Sequence, residues 1–248
     1  MRQHIVITGA SAGLGAGMAR RFAAAGRDLA LCARRLSQLD TLADELRSAN
    51  PGIRVITREL DVTDSDDVFT AFEEFRAELG TLDRVIVNAG LGKGRPIGTG
   101  YYYANAQTAT TNVHGALAQC EAALRIFREQ QAGHLVLLSS ASAVRGLPGN
   151  ITTYAATKAA VASLAEGIRA ELSDTPIRVS TLLPGYIESE MSARAGRSPL
   201  LTGADKGARA LVTAIERERP KAYVPTWPWA PLSVLLRFAP TSLLSKFG

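Results

Sequence analysis

A tyrosine and a lysine stand four residues apart in the segment TTYAATKAA, residues 152–160. Residues at this spacing lie on one face of a helix, so the phenol of Tyr154 and the ammonium of Lys158 can point into the same site. The positive charge would favour the phenolate and lower the pKa of the tyrosine from about 10 towards neutral pH. The pair predicts proton transfer by Tyr154, although the same spacing also fits an ordinary pair on a helix surface.

Three glycines follow the first predicted strand, within TGASAGLG, residues 8–15. Gly9, Gly13 and Gly15 allow a tight turn, close approach of a pyrophosphate to the backbone, and close packing of the next helix. The free amide groups and the dipole at the start of that helix would bind phosphates. The pattern predicts a dinucleotide site, although its Gly-x-x-x-Gly-x-Gly spacing differs from the commoner Gly-x-Gly-x-x-Gly, and a simple connecting turn is the alternative.

Two arginines follow the second predicted strand, where an NAD-binding protein usually has an acidic residue against the ribose 2′-hydroxyl. The segment reads CARR, so Arg34 and Arg35 could neutralise a 2′-phosphate. Guanidinium groups suit bidentate contact with phosphate. Asp28 lies at the other end of the strand and cannot take the acidic role. NADP(H) is therefore the expected cofactor, unless the two arginines only face solvent.

Short apolar segments alternate with longer helical patterns along the chain. The predicted strands are HIVIT, DLALCA, RVITREL, RVIVNAG, HLVLLSS, IRVSTLLPG and AYVP. Helical periodicity predicts helices over 13–25, 37–48, 65–78, 105–131, 153–173 and 204–218. This alternation is typical of α/β proteins. We therefore expect a single domain over residues 1–248, with a Rossmann-type doubly wound parallel sheet and helices on both faces.

The composition argues against several other classes of protein. The 248 residues are 46% hydrophobic and 21% charged, which is typical of a globular chain rather than a disordered one. The net charge of +5 is scattered, without the dense basic run that would predict nucleic-acid binding. Cys32 and Cys120 are too few and too far apart for a metal cluster, and they suit a reducing cytoplasm. No segment is long and apolar enough to predict a signal peptide or a membrane-spanning helix.

Six ordered motifs together resemble those of the short-chain dehydrogenase/reductase family. They are TGASAGLG, NAG at 88–90, Asn112 within TTNVHG, the serine pair 139–140, YAATK, and the Pro-Gly pair 184–185. The match runs from residue 4 to about residue 190, in the family's order and spacing. The resemblance implies an enzyme that transfers a hydride between a nicotinamide cofactor and a carbonyl compound or secondary alcohol.

The resemblance also implies a role for each matched residue. Tyr154 would supply the proton, Lys158 would bind the nicotinamide ribose, and Ser140 would hold the substrate carbonyl oxygen. Asn112, expected within a long helix, would position a water that links Lys158 to solvent, whereas Asn88 is expected to be structural. The cofactor contacts expected from the motifs and the resemblance are Gly9, Ser11, Gly13, Leu14, Gly15, Arg34, Arg35, Asp61, Val62, Asn88, Ala89, Gly90, Tyr154, Lys158, Pro184, Gly185, Ile187 and Ser189.

The chain departs from the family pattern in three places. Val87 replaces an asparagine that often precedes NAG, and Ala143 replaces a glycine that is common after the serine pair. The separation between the serine pair and the tyrosine is one residue longer than usual, with the insertion within NITT, residues 150–153. Either the loop bulges and Ser140 keeps its place, which a position at a strand end favours, or Ser142 replaces it.

Substrate selection is expected to depend on loops and on the C-terminal tail. Residues 186–203 are expected to form a mobile lid, and three tyrosines within 98–105 predict either an aromatic wall or a packed helix start. The tail, residues 226–248, has four apolar residues at helical spacing, Leu232, Leu235, Leu236 and Ala239. These side chains either cover the core or a subunit partner, or they lie on a membrane surface, which would imply an apolar or lipid-like substrate.

The remaining expectations concern partners. The resemblance implies a homodimer or homotetramer built through the helices that contain Asn112 and Tyr154. The expected ligands are small molecules, namely a carbonyl or alcohol substrate and the dinucleotide, without nucleic acid or metal. A chain that binds the dinucleotide without turnover, as a sensor or scaffold, is the alternative function. The intact set of Tyr, Lys, Ser and Asn side chains argues against that alternative.

Overall fold

Seven strands form one sheet. They are β1 (His4–Thr8), β2 (Asp28–Ala33), β3 (Val55–Glu59), β4 (Arg84–Val87), β5 (Gly133–Leu138), β6 (Ile177–Pro184) and β7 (Lys221–Val224). The computed structural model describes residues 2–193 and 200–244, so parts of the expected lid and tail, residues 194–199 and 245–248, lie outside the described residues. All neighbouring strands pair in parallel, in the order β3-β2-β1-β4-β5-β6-β7.

Helices connect successive strands. The helices are α1 (Gly13–Ala24), α2 (Leu36–Ala49), α3 (Ser65–Leu79), α4 (Tyr102–Ala109), α5 (Gly115–Gln130), α6 (Thr152–Glu171), α7 (Glu190–Ala193), α8 (Ala204–Glu216), α9 (Thr226–Phe238) and α10 (Thr241–Leu244). The single helix predicted over 105–131 is wrong in one respect, because a π-helical turn at Thr110–His114 separates α4 from α5. Short 3₁₀ turns occupy Ala141–Val144 and Gly149–Ile151.

The core lies on both faces of the sheet. Along β1, Ile5 and Ile7 face the cluster that contains Met18 of α1, whereas Val6 faces the cluster that contains Phe72 of α3. Alternate residues of a strand point to opposite faces, so a strand covered on both sides must be apolar throughout. This explains the uninterrupted apolar segments of the sequence. The predicted doubly wound α/β fold is confirmed.

The order of the strands reverses at the centre of the sheet. β1 pairs with β2 on one side and with β4 on the other. In open α/β sheets, ligands bind in the crevice outside the carboxyl ends of the strands at such a reversal. The glycine segment follows β1, and the NAG motif follows β4, so the fold brings both to this crevice.

A cluster of charged and polar side chains lies at the amino ends of the central strands, opposite the crevice. Arg84 is 1% exposed and donates from Nε to Nδ1 of His134 at 2.9 Å, and the other imidazole nitrogen lies 2.8 Å from the hydroxyl of Ser180. The Arg84 guanidinium also pairs with Glu216 and Glu218, which lie just before β7. Three neighbouring strands and the approach to the edge strand are thereby connected by side chains.

The tail forms α9 and α10 at the end of the described chain. Trp229, Ala239 and Leu244 are buried, whereas Leu235 is 68% exposed. Of the alternatives expected for the tail, covering the core does not hold for Leu235, because α9 turns a different face towards the protein; a subunit partner and a membrane surface both stay open. No described helix is both long and apolar enough to cross a membrane.

Candidate active site

The glycine segment adopts a conformation that leaves room for a ligand. Gly9 and Gly13 have φ angles of +63° and +55°, which side chains with a Cβ rarely adopt. A Cβ on Gly15 would lie 2.4 Å from the carbonyl oxygen of Gly9, so only glycine allows α1 to approach the turn this closely. A cavity of about 670 Å³ lies between α1, residues 188–190 and the start of α8, and it reaches the glycine segment at Gly13 and Leu14. The conformation of the glycine segment fits a bound dinucleotide, because α1 directs its free amide groups towards this segment.

Asn88 ties this segment to the neighbouring strand. Its side-chain amide donates to the carbonyl oxygens of Thr8 and Gly9, at 2.7 Å and 3.2 Å. The backbone amides of Asn88 and Ala89 both donate to the Thr8 hydroxyl at 3.0 Å. This geometry gives Asn88 a structural part in fixing the turn, beside Ala89 and Gly90.

Two arginines lie at the expected end of β2 and already have acidic neighbours. Arg34 is 3.8 Å from the carboxylate of Asp61, and both side chains are largely exposed. Arg35 donates to the Ser11 hydroxyl at 3.2 Å and to the carboxylate of Glu190 at 3.2 Å. The arginines therefore connect the glycine segment, the end of β3 and the first residue of α7.

The residues after β3 pack beside the same crevice. The Asp61 carboxylate also accepts hydrogen bonds from the backbone amide and hydroxyl of Thr63, at 3.0 Å and 2.8 Å. Val62 is 6% exposed, and a Cβ on Gly115 would lie 2.8 Å from its methyl group. Asp61 and Val62 thus have fixed positions, next to Arg34.

Tyr154 and Ser140 are brought together by the packing of α6 on the end of β5. The Ser140 side chain is close enough to the Tyr154 phenol to lower its pKa. The Ser140 oxygen in turn accepts from the backbone amide and the hydroxyl of Ser142, at 3.1 Å and 2.9 Å. Between the two serines considered from the sequence, the geometry favours Ser140 as the partner of Tyr154, with Ser142 behind it.

The extra residue before Tyr154 is accommodated in a short turn. Gly149–Ile151 forms a single 3₁₀ turn that leads into α6, and Gly149 has a φ of +74°. This turn packs against the loop after β4, because a Cβ on Gly94 would lie 2.2 Å from the Asn150 carbonyl oxygen. This turn, which contains part of the expected insertion, therefore lies against the loop after β4, and Tyr154 follows it in the first turn of α6.

Lys158 lies one helical turn beyond Tyr154 and points into the protein. Its Nζ donates to the Leu138 carbonyl oxygen at 2.8 Å and lies 5.9 Å from the centroid of the Tyr154 ring. The Ser139 hydroxyl donates to the Lys158 carbonyl oxygen at 2.7 Å, which fixes this turn of α6 on the strand end. The pair is therefore not an ordinary helix-surface pair, since Lys158 is 6% exposed.

The pKa directions differ from the sequence-based expectation. Burial raises the pKa of Tyr154, while the Ser140 side chain acts in the opposite direction. Burial also lowers the pKa of Lys158 to about 8. For the chain without a dinucleotide, desolvation is the largest influence on the pKa of Tyr154, and Lys158 is not among the groups that lower it.

Asn112 lies in the π-helical turn and has its side chain fully used. Its amide oxygen accepts from the Leu91 backbone amide at 2.7 Å. Its amide nitrogen donates to the Leu91 carbonyl at 2.9 Å and to the Thr157 hydroxyl at 3.0 Å. A Cβ on Gly90 would lie 3.3 Å from Lys158 Nζ and 3.4 Å from the Asn112 oxygen, so this glycine keeps the two groups accessible to one another.

The segment after β6 forms another wall of the crevice. Gly185 lies against Trp229 of α9, since a Cβ there would be 1.9 Å from the indole. Ile187 is buried and pairs in a short bridge with Thr202, which closes the two ends of the expected lid on each other. Ser189 lies near Gly13, since a Cβ added to Gly13 would be 3.4 Å from the Cβ of Ser189. Ser189 also lines the cavity beside Gly13. The cofactor contacts expected of Pro184, Gly185, Ile187 and Ser189 stay a prediction.

Other expected features have a different environment. The tyrosine segment does begin a helix, α4, but Tyr102 and Tyr103 are 83% and 67% exposed and do not pack within the described chain. Cys32 and Cys120 are buried, and burial raises the pKa of each thiol to about 12. Within residues 2–193 and 200–244, no three His, Cys, Asp or Glu side chains are grouped to hold a metal ion.

Comparison with known proteins identifies the family. The model of the short chain dehydrogenase family matches residues 3–199. The chain belongs to the short-chain dehydrogenase family. An uncharacterized oxidoreductase of Mycobacterium tuberculosis is 53% identical over 247 residues, which cover 100% of this chain and 98% of that protein. The chain is therefore an oxidoreductase of this family, whose members use a nicotinamide dinucleotide and small-molecule substrates.

Two solved short-chain dehydrogenases show the same architecture with different cofactors. One from Burkholderia phymatum, in complex with NAD, has a TM-score of 0.87 at 25% identity and covers 98% of this chain and 95% of its own. One from Sphingobium yanoikuyae, in complex with NADPH, has a TM-score of 0.82 at 30% identity, with the same coverage. The predicted family is confirmed, and the two complexes show that its fold accepts either dinucleotide.

Sequence reasoning missed several residues of this short-chain dehydrogenase site. Tyr186 packs edge-to-face on Trp229, with ring centroids 5.4 Å apart, and it contributes to the raised pKa of Tyr154. Thr157 links Asn112 to α6 through the hydrogen bond described above. Met191 lies 3.2 Å from a Cβ added to Gly92. The aromatic composition of the tail and the position of Tyr186 directly after Pro-Gly were the available indications.

Proposed function

We propose that the protein is an NADP(H)-dependent oxidoreductase that interconverts a carbonyl compound and a secondary alcohol, with Tyr154 as the general acid and base. The observation that supports this most directly is the Ser140–Tyr154–Lys158 arrangement. Ser140 is close enough to the phenol to lower its pKa, and Lys158 Nζ lies 5.9 Å from the centroid of the Tyr154 ring. All three are at the carboxyl end of the central strands, beside the glycine segment.

The glycine segment, the end of β2 and the segment after β6 would hold the dinucleotide, which supplies the hydride when bound. The chain itself supplies the proton. The raised pKa keeps the Tyr154 hydroxyl protonated at neutral pH, which suits a proton donor in the reducing direction. Ser140 can donate a hydrogen bond to the substrate oxygen on which negative charge develops, and Ser142 orients Ser140.

Lys158 is assigned to the return of the proton. With a pKa of about 8, its side chain is mainly an ammonium at neutral pH, so it stabilises the phenolate that remains after proton transfer. The open side of Gly90 places the Asn112 amide near this ammonium. We propose that Asn112 positions a water that carries the proton between Lys158 and solvent. Its bonds to Leu91 and Thr157 hold the amide in place for this role.

The cofactor preference is assigned to the two arginines after β2. Arg34 and Arg35 lie where an acidic residue would bind the ribose of NAD, and the first residue there, Ala33, has no group for that hydroxyl. Guanidinium groups would neutralise a 2′-phosphate. The NADPH complex of the Sphingobium relative supports this choice, although the Burkholderia relative was solved with NAD.

Further assignments follow the family resemblance. We assign a single domain, a cytoplasmic location, and a homodimer or homotetramer built through α5 and α6. Leu117 on α5 is 42% exposed and is available for such a contact. The substrate class is a small carbonyl compound or alcohol, and the exposed Tyr102 and Met191 favour an apolar one.

The test of the catalytic assignment is a Tyr154→Phe variant assayed with a panel of carbonyl compounds and alcohols. Loss of the hydroxyl should lower kcat by at least about a hundredfold, because the proton donor is removed, while dinucleotide binding measured by fluorescence should persist. Tyr223→Phe is the matched control, since it removes a tyrosine hydroxyl from the edge strand β7, outside the Ser140–Tyr154–Lys158 arrangement. Full turnover by Tyr154→Phe would contradict the assignment. Dinucleotide binding by the wild type without turnover across the panel would favour a sensor or scaffold.

The test of the cofactor assignment compares NADPH and NADH affinities in an Arg34→Gln, Arg35→Gln double variant. Removing both guanidinium groups should weaken NADPH binding by about tenfold or more and should change NADH binding little. Arg47→Gln, on the exposed side of α2, is the control. Equal losses for both dinucleotides would contradict the assignment.

A further inference from the structure

The tail helix α9 has an apolar face that the described chain does not cover. Pro231, Val234, Leu235 and Phe238 follow the i, i+3, i+4, i+7 spacing of one helical face, and all four are exposed. The exposed fractions of Val234, Leu235 and Phe238 are 59%, 68% and 79%. Trp227, at the bend that begins α9, is 77% exposed. We call these five residues the α9 patch.

The opposite side of α9 is anchored at the active site. Trp229 packs against Gly185 and Tyr186, and the Arg145 guanidinium donates to the Arg237 carbonyl oxygen at 2.9 Å. Arg145 follows the turn that begins after Ser140. The α9 patch is therefore the outer surface of a firmly held element, and its exposure does not result from a loosely attached tail.

The charges around the α9 patch have one sign. Residues 219–244 contain no Asp or Glu, and neither do residues 131–165, which include the turn against which α9 packs. Arg237 is exposed within α9 itself, and Arg145 lies at the end of the helix. The acidic residues of the neighbouring lid segment are directed elsewhere, because Glu190 pairs with Arg35 and Glu188 accepts from the Ala204 amide.

We propose that the α9 patch docks on an anionic lipid surface, with the apolar side chains in the headgroup region and the arginines beside lipid phosphates. An apolar helical face with Trp, Phe and Leu, flanked by arginines, is the arrangement that lies in a membrane interface. A second copy of the chain fits less well, because a two-fold contact would bring Arg237 and Arg145 near their own copies without a carboxylate to pair them.

This docking has a consequence for the reaction. Since α9 forms the wall behind Gly185 and Tyr186, the bound enzyme would hold its substrate crevice near the lipid surface. An apolar substrate dissolved in the membrane could then reach the crevice with a short path through water. The docking itself does not rest on the proposed oxidoreductase mechanism, and it can be measured without turnover.

The first test is flotation of the full-length protein with vesicles of phosphatidylcholine alone and with vesicles that also contain phosphatidylglycerol. Binding is expected with the anionic vesicles and should weaken with added salt. A Val234→Ser, Leu235→Ser, Phe238→Ser variant should bind at least about tenfold more weakly. Leu36→Ser, which also changes an exposed leucine but lies on α2, should bind as the wild type does. Circular dichroism establishes that each variant is folded.

The second test uses the two tryptophans as internal probes. Trp227 is 77% exposed and Trp229 is 5% exposed, so the emission of Trp227 should shift to shorter wavelength on anionic vesicles. The shift should vanish in Trp227→Phe, while flotation of that variant is retained. Absence of flotation, or unchanged flotation of the triple serine variant, would overturn the proposal. A third outcome is that the wild type does not float and is a dimer in size-exclusion chromatography, whereas the triple serine variant is a monomer. In that case the proposal is wrong and the α9 patch is an interface between copies.

Discussion

Acidification should destabilise this protein through the buried His134. Its Nδ1 accepts a hydrogen bond from Arg84 Nε at 2.9 Å, and its Nε2 lies 2.8 Å from the Ser180 hydroxyl oxygen. The neutral imidazole uses both nitrogens in this arrangement, whereas a proton on Nδ1 would face the guanidinium. Burial, with a smaller contribution from the charge of Arg84, lowers the pKa of His134 from 6.5 to about 3.

The sign and the size of the effect follow from these two values. The unfolded chain binds the proton at a higher pH than the folded chain, so stability present above about pH 6.5 is lost as the pH falls towards about 3. The free energy of unfolding should fall by about 2 kcal/mol between about pH 7.5 and about pH 5 from this residue alone. The pKa of Glu218 is lowered from 4.5, so the stability that it contributes is lost only at more acidic pH.

The assay is urea unfolding followed by circular dichroism across this pH range, at one protein concentration. His134→Gln should be less stable than the wild type near neutral pH but should lose less stability on acidification, because glutamine does not titrate. His114→Gln is the matched control, since His114 is exposed. Parallel pH profiles for the wild type and His134→Gln would refute the reasoning.

Three further predictions concern the crevice. Glu190→Gln removes the ion pair of Arg35 and should strengthen NADPH binding about twofold to fivefold in fluorescence titrations, while NADH binding should not change. Equal effects on the two affinities would contradict this prediction. Gly15→Ala should weaken dinucleotide binding at least about tenfold in the same titration, because its Cβ would collide with the turn. Thr157→Val should lower the Tm by about 2–4 °C in calorimetry through the lost bond to Asn112, and Thr157→Ser should restore it.

Much of the fold and part of the site could be predicted from local spacing. Strands covered on both faces must be apolar, which made β1 and β2 recognisable within one residue of their ends. A positive φ strongly favours glycine, so Gly9 and Gly13 marked the turn. Tyr154 and Lys158 were predictable as a pair because one helical turn fixes their separation whatever surrounds them.

The interruption at Thr110–His114 was not predictable in this way. The helical periodicity continues through this stretch, and the reason for the π turn lies outside it. Asn112 bonds both backbone groups of Leu91 and the Thr157 hydroxyl, which come from the loop after β4 and from α6. Only the packed structure brings these partners together.

The sequence by itself determined the order of the elements, the glycine turn and the spacing of Tyr154 and Lys158, because each depends on residues within a few positions of one another. The tertiary structure decided how those side chains behave. Desolvation by surrounding elements raises the pKa of Tyr154, and Trp229 reaches Gly185 from the end of the chain. It also decided that Leu235 faces outward, since the anchored side of α9 is selected by contacts with distant residues, and helical spacing alone allows either face.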